Sequence, residues 1–265
     1  MRLPEYDRVL FKKTPLRLVL GQVKFPILPR FAEAGFLAPF HEAIRRQYPK
    51  ASRENQVTYN LNQKGLQTSA GDVLWRFSTR DKIWSVVLGE EAVTLEVRGY
   101  SSINEFLERF LDILKIATKN LQIDERTRLG LRYVNEIRHP DGLDLSGWRS
   151  LLTPEFVGFG ASDLLDGTSE HMFQEIRIRR ADGILAIRHG LMMGTVIEPP
   201  SSAPPPSGPF YLIDLDYYDG AERRLDLPQI AEQMKSYNDI QYRFFRWTLG
   251  EKLFASMEPV NVPEH

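Results

Sequence analysis

Ala92-Val93-Thr94-Leu95-Glu96-Val97-Arg98, followed at Ile103 by an amphipathic run to Leu121, decides the fold class. Val93, Leu95 and Val97 alternate with Thr94, Glu96 and Arg98, the pattern of an antiparallel strand with one face buried. The run from Ile103 changes period. Phe106, Leu107, Phe110, Leu111, Leu114, Ala117 and Leu121 make a helical stripe, and Ser102 with Glu105 forms a capping-box signature ahead of it. A strand that must bury one face and a helix with one apolar stripe predict an α+β protein.

Working outward, Val73–Thr79 and Ile83–Leu88 complete a meander with that strand, turning at Gly89-Glu90-Glu91, and Val57–Leu61 is a further short strand. Leu16–Phe25 reads as a strand stopped by Pro26 and Pro29. A helix through Leu37, Phe40, Ile44 and Tyr48 follows, with Pro39 in its first turn. The second half offers a comparable order. Thr127–Arg138 is a strand, Leu145–Phe156 a short helical or irregular stretch, and Met172–Arg180 with Ile184–Leu191 a hairpin across Ala181-Asp182-Gly183. Phe210–Tyr218 is another strand, and Asp226 and Pro228 open a long final helix. The expectation is therefore antiparallel sheets each packed by a long helix, with a possible pseudo-duplicated β-α-β-β-β-α unit. The halves would be residues 1–122 and 123–265, and the Pro-rich stretch 199–209 a solvated loop between strands.

With 265 residues, 42% of them hydrophobic, the chain has ample material for a core, and its composition excludes disorder and collagen-like structure. Cysteine is absent, which excludes disulfides and thiolate chemistry. The first residues carry no apolar stretch behind their charge, and no run is long enough for a membrane span, so the expected location is cytoplasmic with no membrane partner. Charge is uneven: residues 1–122 hold 19 Lys and Arg against 13 Asp and Glu, while residues 123–265 hold 15 against 22. Mutual attraction of the halves or simple solvation accounts for this, and a basic N-terminal half facing an anionic partner is the sharper alternative. The net charge of −1 argues against strong non-specific nucleic-acid affinity.

Catalytic signatures are missing. His41-Glu42 begins like a zinc-protease helix, but Arg45 stands where the second histidine belongs. Gly158-Phe159-Gly160-Ala161-Ser162 has neither the strand before it nor the helix after it that a phosphate loop needs. Asp214 and Asp216 share a strand face roughly 7 Å apart, a spacing that suits a water-shelled Mg²⁺ as the weaker alternative. Cross-strand pairing with Arg177 and Arg179 is the preferred reading of the two carboxylates. Arg128, Arg132, Asn135 and Glu136 on the Thr127–Arg138 strand are candidate ligand or partner contacts, with pairing to carboxylates such as Glu96 as the plainer role. Trp75 and Trp84 on adjoining strands are candidates for a stacking surface, set against simple core packing.

At Leu131-Arg132-Tyr133-Val134-Asn135-Glu136-Ile137, with Pro15-Leu16 and the aromatic-rich segment Phe244–Leu253, the chain resembles a bacterial family of about this length known by its sporadic distribution. The resemblance implies an accessory gene of a mobile or defence-related system and carries no catalytic residues. The family pattern includes a histidine in the last helix near Tyr237-Asn238, which this chain lacks. The resulting expectation is a non-enzymatic accessory or binding protein without a cofactor. It would recognise a protein encoded nearby, or a ligand, between its halves, with nucleic acid as a lesser option. A small-ligand sensor and a metal-dependent phosphate-handling enzyme are the alternatives.

Overall fold

A computed structural model describes residues 3–33, 35–62, 65–162, 167–195 and 206–261; for residues 55–72 only the backbone is described. In chain order the elements are β1 (Val9–Phe11), β2 (Leu16–Lys24), a 3-10 turn (Pro29–Ala32), α1 (Ala38–Ile44), β3 (Lys50–Asn62), β4 (Gly65–Ser78), β5 (Trp84–Leu88), β6 (Ala92–Val97) and α2 (Ile103–Leu121). Then come β7 (Glu125–Arg126), β8 (Arg128–Ile137), α3 (Leu145–Arg149), α4 (Pro154–Val157), β9 (Gln174–Arg180), β10 (Gly183–Met193) and β11 (Pro209–Asp219). The chain continues through β12 (Arg223–Arg224), α5 (Leu227–Thr248), α6 (Glu251–Ser256) and β13 (Pro259–Asn261). The fold is α+β. Its sheets are a nine-stranded one, ordered β3-β4-β5-β6-β2-β8-β11-β10-β9, and two two-stranded ribbons, β1-β13 and β12-β7.

The chain divides into two compact units. One comprises Met1–Leu18, Arg132–Tyr217 and Lys235–His265, and the other Val19–Leu131 with Tyr218–Met234. In the second of these, α2 begins where the capping signature placed it: the Ser102 hydroxyl accepts from the Glu105 amide at 3.2 Å, and Gln122 ends the helix in the left-handed region. The reciprocal half of the box is not formed, because the Glu105 carboxylate takes the Ser101 hydroxyl and Arg109 instead. Phe106, Phe110 and Leu114 are buried against the sheet. Gly21 of β2 is the point of closest approach: a Cβ there would lie 2.9 Å from both the Phe106 ring and Met234 of α5. Ser102→Ala is expected to cost about 1 kcal/mol of stability, read as a lower urea midpoint with an unchanged m-value.

The start of α5 lies in the same unit, with Asp226 accepting from the Gln229 amide at 2.9 Å as its sequence predicted; from Lys235 on the helix belongs to the other unit. Tyr237 stacks on Tyr217 at 4.3 Å, Asn238 donates to the Tyr133 hydroxyl, and Gln241 donates to the Leu215 carbonyl. The hairpin expected across Ala181-Asp182-Gly183 is present, with β9 and β10 paired antiparallel from Gln174–His189 to Arg180–Gly183. Strand β3 is much longer than the expected Val57–Leu61 and pairs with β4 throughout, with one irregularity between Asn55 and Val57. Its polar composition hid the alternation by which a half-buried strand is recognised. Residues 199–205 of the Pro-rich stretch lie outside the described residues; Pro209 begins β11.

Candidate functional site

Pro29 opens the 3-10 turn and Pro39 lies in the first turn of α1, positions where the missing proline N–H costs no helical hydrogen bond. Phe40 and Ile44 of α1 are buried, which leaves His41, one position along from Phe40, turned toward β4. There its imidazole stacks on Phe77 at 5.2 Å and 24°. Trp75, two residues earlier on the same face of β4, is also stacked with Phe77, at 6.2 Å and 9°. The β3–β4 register sets Arg53 directly opposite Trp75 and Ala51 opposite Phe77.

These groups line an open cavity of about 530 Å³. Val73, Trp75 and Phe77 come from the sheet, Phe31, Leu37 and Ala38 from the 3-10 turn and α1, and Glu33 and Glu90 add acidic groups. The volume is that of a small-molecule site, and the lining combines ring faces with a few charged groups. Arg53 forms no ion pair among the described residues, whereas Glu33 is held by Arg30 at 3.0 Å. The arrangement can stack a flat ring and meet a negative charge beside it. Among the described residues no group of three or more His, Asp and Glu converges as a metal-ligand set.

Of the candidates named from sequence, Trp75 lies in this cavity. Trp84 shares its sheet face but is buried: Phe106 packs on it at 6.1 Å and the Arg109 guanidinium lies 4.5 Å over its ring. Arg128, in the same unit, donates to Gln22 at 2.9 Å and rests 4.6 Å over Tyr218. Gly130 makes this possible, since a Cβ there would sit 2.5 Å from the Arg128 guanidinium. Glu96, expected as a partner for these arginines, is taken by Arg76, which also holds Glu54.

Arg132, Asn135 and Glu136 belong to the other unit. Arg132 grips Asp214 with two hydrogen bonds of 2.7 and 2.6 Å. Burial opposes the Arg132 charge, but Asp214 outweighs it and holds the guanidinium above its ordinary pKa. Asp214, 2% exposed, also meets Arg188 at 3.5 Å, and Arg188 reaches Glu175 at 3.1 Å. The expected pairing of Arg177 and Arg179 with Asp214 and Asp216 is not what forms at Asp214. Strand β10 lies between β9 and β11, so its Arg188 occupies that place and Arg177 pairs with Glu175. Asp216 adds attraction for Arg132. Asn135 donates to the buried Ile213 carbonyl, and Glu136 holds Arg138 and the Thr195 hydroxyl. Both side chains are buried and serve the interior.

Sequence reasoning missed His41, Phe77 and Arg53 as lining groups. The signal for Phe77 was available, since it stands two residues from Trp75 on one strand face. Arg53 depended on a register that polar β3 did not reveal. No protein-family model matches the chain, and no curated protein matches it. No helix among the described residues is long and apolar enough to cross a membrane.

Proposed function

We propose that the chain is a non-enzymatic binding protein that takes a small, flat, anionic ligand in the cavity between α1 and β4. The observation that carries this reading is the ring strip His41–Phe77–Trp75 running along an open cavity with Arg53 opposite Trp75. A planar ring laid on Trp75 continues that strip, and the Arg53 fork pairs with its carboxylate or phosphate. His41 is committed to stacking on Phe77, which suits a holding role. The resemblance through Leu131–Ile137 to a sporadically distributed accessory family is in keeping with a sensor that serves another protein.

Nucleoside monophosphates and indole carboxylates are the probes, read by thermal shift and by quenching of tryptophan fluorescence. A binder raises Tm by mass action. Trp75→Ala is expected to weaken binding about tenfold or more, the worth of one ring–aromatic stack, while Trp84→Phe leaves it in place. Arg53→Gln should weaken acidic probes and leave the matching uncharged rings unaffected. Equal binding by wild type and Trp75→Ala, or no binding by any probe class, defeats the proposal.

A further inference from the structure

Strand β9, Gln174-Glu175-Ile176-Arg177-Ile178-Arg179-Arg180, is the last strand of the large sheet. It pairs with β10 through seven consecutive positions without a bulge, and among the described residues no strand lies beyond it. Its outer row of N–H and C=O groups is therefore a template for another strand. It carries no proline to interrupt pairing, and Ile176 on it is 48% exposed.

The sequence of this edge is complementary to itself. Antiparallel pairing with a second copy about a two-fold axis at Arg177 puts Glu175 opposite the partner's Arg179, and Arg179 opposite the partner's Glu175. Ile176 then faces the partner's Ile178 on the other side of the sheet. Both the ion pairs and the isoleucine pairs occur twice, as an isologous contact requires. Arg179 is exposed and has no ion partner among the described residues, so it is available for this role. The two Arg177 side chains meet at the axis, each already neutralised by its own Glu175 at 2.5 Å. We propose that β9 is a homodimerisation edge at which two copies join their sheets strand to strand.

Sedimentation velocity of the full chain across the micromolar range tests this directly. The wild type should show a concentration-dependent dimer. Glu175→Arg and Arg179→Glu should each weaken it about tenfold or more, because each sets like charges opposite one another twice. Mixing the two variants should restore association, since the hetero-pair regains both Glu–Arg contacts. Circular dichroism and Tm confirm that each variant is folded. Amide exchange on the unsubstituted chain gives an independent reading: outward amides of β9 should slow as protein concentration rises. A monomer throughout the range, a dimer indifferent to both charge reversals, folded variants that fail to associate on mixing, or β9 exchange independent of concentration overturns the proposal.

Discussion

Gly190→Ala is expected to lower the unfolding free energy by on the order of 4 kcal/mol, enough to leave a marginal fold largely unfolded at physiological temperature. Gly190 sits within β10, where the segment leading into β9 crosses it. A Cβ built there would lie 1.8 Å from the Met172 carbonyl oxygen, 2.7 Å from its carbon and 3.0 Å from the Phe173 Cα. All three atoms are backbone, so no side chain can swing aside to make room. The segment would have to lift away, breaking the 3.0 Å bond from the Met172 amide to the Leu191 carbonyl and loosening the ring cluster next to it at His189. Gly220→Ala is the control: nothing lies within 4 Å of a Cβ there, and its effect should stay within about 0.5 kcal/mol. Urea unfolding of the two variants separates the outcomes. A mild effect at Gly190 would mean that the approach of Met172 to β10 is looser than described.

That crossing illustrates where the sequence is readable and where it is not. Ile103–Leu121 carries its own stripe and its own cap, and the Arg180–Gly183 turn is bracketed by alternating residues. Both are local patterns, and both elements form as read. The order of strands is not local. Nothing in Leu16–Lys24 says that it lies between β6 and β8, and nothing in Asp214 says that Arg188 of β10, rather than Arg177 of β9, is its neighbour. The aromatic strip has the same difficulty: Trp75 was legible as a candidate, but the stack of His41 on Phe77 is a tertiary contact between α1 and β4 that no local pattern announces. Arg126 gives no signal at all. It is fully buried, donates to Gln233 at 2.9 Å and lies 3.5 Å from Asp219, groups about a hundred residues away in sequence. Charged side chains are read from sequence as surface, and only tertiary contacts reverse that.

His189 is the clearest case in which such a hidden group sets a measurable property. It is 1% exposed, stacked on Phe156 at 4.1 Å and hydrogen-bonded through Nδ1 to the Tyr211 hydroxyl at 2.9 Å. Burial pushes its pKa down from 6.5 to about 4, and the same burial pushes the Tyr211 phenol up. The folded chain therefore keeps this imidazole neutral at pH values where the unfolded chain has taken up a proton. The contribution is fully present above pH 6.5 and is lost as pH falls toward 4. At about 1.4 kcal/mol per pH unit, the loss across that window is on the order of 3 kcal/mol. Urea unfolding at pH 7, 6 and 5 should show the wild type losing stability steadily, while His189→Phe, whatever its fixed cost, should show a markedly flatter slope. Parallel pH profiles for the two proteins would place the ring in contact with water and remove the basis of the prediction.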